Sequence, residues 1–218
     1  MPPAITMYNF PMSPPCRAVR MTAKILAIDL KLVDLDLFNK EHKKQWFVNI
    51  NPNCLVPTID DKGFYLGESI AIMRYLIDQY APDHALYPKD IKKRAIIDWL
   101  LDFNIATLFK ALASYLEDVM FRGQTPKPER MDEFNQKVAI LEEFLTRSPY
   151  VAGDHMTIAD LSVITSLDFA EIVMDHSYSD FPKVEAWMNK LKKEIPDYKE
   201  INVKALKNIK ENHNYKKN

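Results

Sequence analysis

Apolar residues in this chain change their spacing once, near residue 85, and that change decides the class of fold. Before it, short runs alternate apolar and polar residues as strands do and are interleaved with helical stretches. From Ile91 to the end every apolar pattern has the three-to-four-residue period of a helix. A chain divided in this way is expected to fold as α/β plus all-α, a sheet-containing half followed by an all-helical one. Its 218 residues suffice for two modest domains, and a hydrophobic share of 47% fills their cores. The expected domains are residues 1–83 and 91–218, with His84 to Asp90, which contains Pro88, as the linker.

Taken in order, Ile5 to Tyr8 reads as a strand, and Ala18, Met21, Thr22, Ile25 and Ile28 as one face of a helix. Leu30 to Leu37 alternates like a half-buried strand, and Glu41 to Val48, with Trp46 and Phe47, reads as a polar helix. Val56 to Ile59 and Phe64 to Leu66 flank a turn at Asp60 to Gly63, which predicts a hairpin. Pro57 cannot donate to a central ladder, so it belongs at a strand start, where a cis bond is expected. Ile70, Ile72, Met73, Leu76 and Ile77 predict a third helix, giving the order βαβαββα. In the second half a helix is expected from about Ile91 to Phe121, which at ~1.5 Å per residue spans about 45 Å. Met131 to Leu145 predicts the next, and Thr157 to Asp160 forms a capping box opening an unusually apolar helix through Val173. Helices around Val184 to Leu191 and from Val203 to Glu211 complete the chain.

Composition removes several kinds of chemistry. Lysine plus arginine (29) balances aspartate plus glutamate (30), so nothing in the net charge favours nucleic acid. Cys16 and Cys54 are too few for a disulfide scaffold and lack metal-ligand spacing, and the five histidines lack a paired helical spacing, so no metal is expected. None of the four glycines forms a phosphate or dinucleotide loop. With no signal-like segment and no apolar run long enough to span a bilayer, the chain reads as a cytoplasmic protein without a membrane partner. What remains is the turn Ser13-Pro14-Pro15-Cys16-Arg17. Proline suits the first helical positions because it has no N–H to lose, which makes Ser13 the N-cap. That serine reads either as an ordinary cap or as a hydroxyl offered, at the positive end of a helix, to a thiolate or carboxylate.

The order βαβαββα, with a proline ahead of the hairpin and a turn after the first strand, resembles the thioredoxin fold. Followed by an all-helical domain, it resembles the cytosolic glutathione S-transferases over essentially the whole chain. Ser13 to Val19 looks like the catalytic-serine turn of the insect delta and epsilon classes, and Asn51 to Thr58 is similar to their loop and cis-proline segment. Glu68-Ser69 is similar to their γ-glutamyl-binding turn, Leu86 to Ala95 to their interdomain junction, and Gly153 with Thr157 to Asp160 to their capped core helix.

The resemblance implies a glutathione transferase that uses glutathione as co-substrate and conjugates its thiolate to small hydrophobic electrophiles. It implies that Ser13 donates its hydroxyl to the thiolate, with Tyr8 as the second candidate. His42, Cys54, Leu55, Val56, Pro57, Glu68, Ser69 and Ile70 are expected at the glutathione, and Phe10, Met12, Phe109, Leu112, Tyr115 and Phe121 around the electrophile. A homodimer is implied as well. Two residues depart from the family pattern: Cys54 stands where a histidine is usual, and Ile70 where an arginine is usual. Both remove groups that normally face the peptide's carboxylates, each worth about 1.5 to 3 kcal/mol as a charge-assisted bond. They motivate a second reading, a non-catalytic protein that sequesters an apolar ligand. Cys16, at the second position of a Cys-x-x-Cys-like turn, motivates a third, a monothiol reductase.

Overall fold

The structure, a computed structural model, describes residues 5–116 and 127–212. It opens with strand β1 (Ile5–Asn9), helix α1 (Pro14–Ile25) and strand β2 (Leu30–Asp34), which pairs parallel to β1 in the register Ile5 to Leu30 through Asn9 to Asp34. Parallel neighbours need a crossover, and α1 supplies it. Strands β3 (Thr58–Asp61) and β4 (Phe64–Gly67) follow, giving the sheet order β2-β1-β3-β4 with β3 antiparallel to both neighbours. Lys62 (φ 56°) and Gly63 (φ 90°) close the hairpin in left-handed conformations, and the Gly63 N–H donates to Asp60 Oδ1 at 2.7 Å. Helix α3 (Ser69–Tyr80) completes this half; α2 (Gln45–Val48) lies between β2 and β3.

The expected order βαβαββα therefore holds, with shorter elements. β2 ends at Asp34 because its partner ends at Asn9; the last ladder bond runs from Leu35 N–H to the Asn9 carbonyl at 2.8 Å. α1 ends at Ile25 because Ala27 turns left-handed (φ 54°), so that Ile28 N–H reaches back to the Ala23 carbonyl at 2.9 Å. The expected helix over Glu41 to Val48 is a 3₁₀ turn (Glu41–Lys43), an extended Lys44 and the single turn of α2.

The second half is helical among the described residues: α4 (Ile91–Phe103), α5 (Phe109–Leu116), α6 (Pro128–Arg147), α7 (Ile158–Val173), α8 (Pro182–Glu194) and α9 (Lys204–Asn212). A π turn, Asn104–Leu108, joins α4 to α5, and a second, Lys199–Val203, leads into α9. α7 is the axis of this half. All but two of its residues are buried, and its capping box is present, with Thr157 and Asp160 each bonding the other's backbone. The buried apolar residues form one contiguous core that runs from Ile5 in β1 through α1, α3 and α7 to Leu206 in α9. No helix among the described residues is long and apolar enough to cross a membrane.

Candidate active site

Three chain segments converge beside the N-terminal end of α1, and each is fixed by a local rule. Tyr8 pairs with Thr58, so the chain leaving β1 toward Ser13 runs alongside Pro57. The Val56–Pro57 peptide is cis, as expected. Among the described residues neither the N–H nor the carbonyl of Val56 enters a backbone hydrogen bond, which leaves both groups available to a peptide-like ligand. Asn51 holds this loop: its Nδ2 donates to Thr58 Oγ1 at 2.9 Å and to the Leu55 carbonyl at 3.2 Å.

Ser13 caps α1, with Pro14 and Pro15 at the first helical positions. Its Oγ accepts from Cys16 N–H at a long 3.4 Å, so the cap uses a lone pair and does not consume the hydroxyl proton; the buried Cys16 thiol lies within hydrogen-bonding reach of the same hydroxyl. Ser13 N–H is tied to the Phe10 carbonyl at 2.9 Å, which fixes where the turn begins. Opposite lies the third segment. Glu68 has φ 63° and ψ 113°, a sparsely populated conformation for a residue with a side chain, and it aims the buried Ser69 at the start of α3. Pro14, Pro15 and Ser69 line one cleft together with Asn104, Ile105, Phe109, Ser162, Thr165 and Ser166 of the helical half. The cleft thus joins the first helical positions of α1 and the start of α3 to α7 and the π turn of the helical half.

The other candidate residues divide. His42 is half-buried, with Nδ1 unpartnered among the described residues, and burial, helped by the Lys43 charge, lowers its pKa, so at neutral pH it is an uncharged imidazole. Cys54 is in the left-handed region (φ 57°) with its thiol 3.6 Å from the Pro52 carbonyl, Leu55 is exposed, and Ile70 packs against the core. Phe10 is half-buried edge-on to Phe38, and Met12 is buried. Phe109 faces the cleft, whereas Leu112 is 0% exposed and belongs to the core. The side chain of Tyr115 and all of Phe121 lie outside the described residues. Tyr8 packs edge-on to Phe47 with ring centroids 5.5 Å apart, and burial raises its pKa above the ordinary phenol value. Cys16 is wholly buried and its thiol is pushed up to about 11 by that burial, which removes the monothiol chemistry. Among the described residues no group of acidic, histidine or cysteine side chains is placed to hold a metal.

Sequence reasoning missed two buried polar residues beside the site. Asn104 opens the first π turn and bonds α7 through Ser162 and Ser166, and Arg17 crosses from α1 to α7. A polar residue interrupting an apolar helical stripe is the signal that marks both.

Comparison with known proteins bears on the fold as a whole. Residues 7–84 match the family model described as glutathione S-transferase, N-terminal domain, and residues 96–194 the model for the C-terminal domain. A glutathione S-transferase of Drosophila melanogaster is 36% identical over 205 residues, covering 94% of this chain and 91% of its own. A delta-class glutathione transferase structure from Nilaparvata lugens superposes with a TM-score of 0.91 at 38% identity, over 95% of this chain and 97% of its own. A glutathione transferase homologue from Drosophila mojavensis, solved with bound glutathione, gives 0.88 at 32% identity over 95% of each chain.

Proposed function

This chain belongs to the glutathione S-transferase family, with glutathione as its co-substrate, and on that premise we propose that Ser13 is the residue that stabilises the glutathione thiolate. The observation that carries the reading is the Ser13 hydroxyl itself, which caps α1 through its lone pair and so does not spend its proton on the cap. A free thiol titrates near 8.5, and helix N-termini bring thiols to roughly 3.5 to 7.5. Each pH unit gained is worth about 1.4 kcal/mol.

In this reading the Val56 backbone holds the cysteinyl part of glutathione, and Glu68 with Ser69 holds the γ-glutamyl end. Cys54, Leu55 and Pro57 form the wall of that groove, and His42 contributes a neutral donor. The fit is supported by the unbonded Val56 edge and by the strained Glu68. With no charged group from Cys54 or Ile70, more of the affinity comes from these backbone contacts, so the glutathione KM is expected to be high for the family. The sulfur lone pair attacks an electrophilic carbon of a small hydrophobic compound, the bond to the leaving group breaks with its electron pair, and the thiol proton passes to solvent. Orientation and thiolate supply are the protein's contribution, and no covalent enzyme intermediate is needed. Phe10, Met12, Ile105 and Phe109 make the electrophile's surroundings apolar, which suits detoxification of varied substrates. The active form is a cytoplasmic homodimer; exposed Ile91, Ile96 and Trp99 on α4 and Phe64 and Tyr65 on β4 offer apolar area for a second copy.

Conjugation of glutathione to a chlorinated nitrobenzene tests the assignment. Ser13→Ala is expected to lower kcat/KM by about a hundredfold, the usual effect of removing one preorganised donor, and to raise the pKa of the bound thiol. A bound thiol that titrates identically in wild type and Ser13→Ala overturns it.

A further inference from the structure

The turn that carries Ser13 also supplies the side chain that ties α1 to the helical half. Arg17 N–H bonds the Ser13 carbonyl at 3.0 Å, so the two residues define the first turn of the helix. The Arg17 side chain is 0% exposed. Its Nη1 donates to Asn202 Oδ1 at 2.9 Å and its Nη2 to the Thr165 carbonyl of α7 at 2.8 Å. Asp168, one turn further along α7, holds its carboxylate 3.9 Å away and accepts from Tyr198. Asn202 also donates to Met21 Sδ at 3.0 Å, one turn beyond Arg17 on α1. The π turn Lys199–Val203 makes this possible, since it buries the adjacent residues Ile201 and Asn202 together.

A buried ion pair is an expensive way to join two helices, because an apolar side chain of similar volume generally stabilises as much or more. The other buried residues of α1 are apolar, Cys16, Ala18, Val19, Met21 and Ala23 among them, except Thr22, whose hydroxyl donates back to the Ala18 carbonyl of its own helix at 2.9 Å. What the guanidinium adds is direction: a planar fork bonded on two sides fixes the rotation and axial position of the turn to which it is attached. We propose that Arg17 is a positioning residue for conjugation, its fork on Thr165 and Asn202 setting where α1 begins and so aiming the Ser13 hydroxyl at the thiolate. The proposal rests on the reading of Ser13 as thiolate donor. A displacement of about 1 Å at a reacting group costs up to about a hundredfold, so a small rotation of the first turn is enough to be seen.

The test uses the full chain and reads the pKa of bound glutathione by thiolate absorbance, with kcat and glutathione KM measured separately. Arg17→Met is expected to raise the bound-thiol pKa by about one, which cuts the thiolate fraction below that pKa about tenfold, and to lower kcat with little change in KM. Arg17→Lys recovers part of the loss. Asn202→Leu, which leaves Arg17 and Asp168 in place, shifts the thiol in the same direction by less. In a Ser13→Ala background, Arg17→Met produces no further shift. The clamp is overturned if Ser13→Ala moves the thiol pKa while Arg17→Met and Asn202→Leu leave it at the wild-type value and lower only the unfolding midpoint. Should Arg17→Met fail to fold, Asn202→Leu decides alone. If Ser13→Ala itself leaves the thiol unmoved, the Ser13 reading has failed and the clamp with it, a pattern distinct from failure of the clamp alone.

Discussion

Replacing Asp160 with alanine is expected to remove a large part of the protein's stability, and the magnitude follows from four donors. The carboxylate is fully buried at the start of α7. Oδ1 accepts from Val151 N–H at 3.0 Å and from the Trp187 indole at 2.9 Å, while Oδ2 accepts from Thr157 N–H at 2.8 Å and from the Thr157 hydroxyl at 3.0 Å. The hydroxyl can rotate to another acceptor; the other three donors are held by backbone or ring. Each buried donor left unpaired costs about 1–3 kcal/mol, so Asp160→Ala should cost about 3–9 kcal/mol, against a total of roughly 5–15 kcal/mol for a native protein. Asp160→Asn orphans about one donor and should cost about a third as much. Urea unfolding followed by circular dichroism measures both. The partner variant Trp187→Phe removes the indole N–H, so the double variant Asp160→Ala/Trp187→Phe should be less destabilised than the sum of the singles by about 1–3 kcal/mol. A loss below about 2 kcal/mol for Asp160→Ala, or strict additivity in the double variant, would refute the accounting.

Three further outcomes are expected. Burial raises the Asp168 carboxyl from 3.8 to about 6, so its contribution to stability is fully present below the unfolded value and is lost as pH rises through 6. Urea midpoints from pH 4 to 7 should therefore move in favour of Asp168→Asn relative to wild type, by on the order of 3 kcal/mol for a carboxyl that titrates about two pH units above its ordinary value; a gap that moves the other way contradicts the sign. Glu68→Gly relieves the strained φ of 63° and should raise stability by about 1 kcal/mol while weakening glutathione binding measured by calorimetry; a simultaneous loss of stability would show that the conformation is not strained. Trp99 is 57% exposed beside Phe144, so Trp99→Glu should convert a sedimenting dimer to monomer with the helical signal intact; an unchanged sedimentation profile places the subunit contact elsewhere.

The element order was legible because each strand and helix carries its own period, and the cis Val56–Pro57 bond because a proline at a strand start has few alternatives. What escaped the sequence depends on contacts between distant segments. The expected helix from Ile91 is interrupted at Asn104, where the amide donates to Ser162 Oγ at 2.8 Å on a helix 58 residues away; no local period encodes that bond. Glu41 to Val48 resolved into separate turns because Phe47 alone of its residues is fully buried, too little to drive a helix. Arg17 interrupts an apolar helical stripe in the sequence, but its partners Thr165 and Asn202 are supplied only by the fold. At the site, Ser13 and Pro57 stood out by backbone chemistry and Glu68 through the family resemblance, whereas Phe109 and Leu112 share one apolar stripe and differ only in which faces the cleft.

The single core that runs from β1 to α9 bears on how such a chain can change over time. The linker at residues 84–90 looks like a natural place to exchange one half for that of a relative, yet the apolar face of α1 and the Arg17 fork are completed by α7 and the turn before α9. A transplanted helical half has to bring a matching acceptor pair with it. Chimaeras joined at this linker are expected to be soluble and active only when α1 travels with the helices it is fitted to, so the heritable unit here is the α1 contact rather than either half.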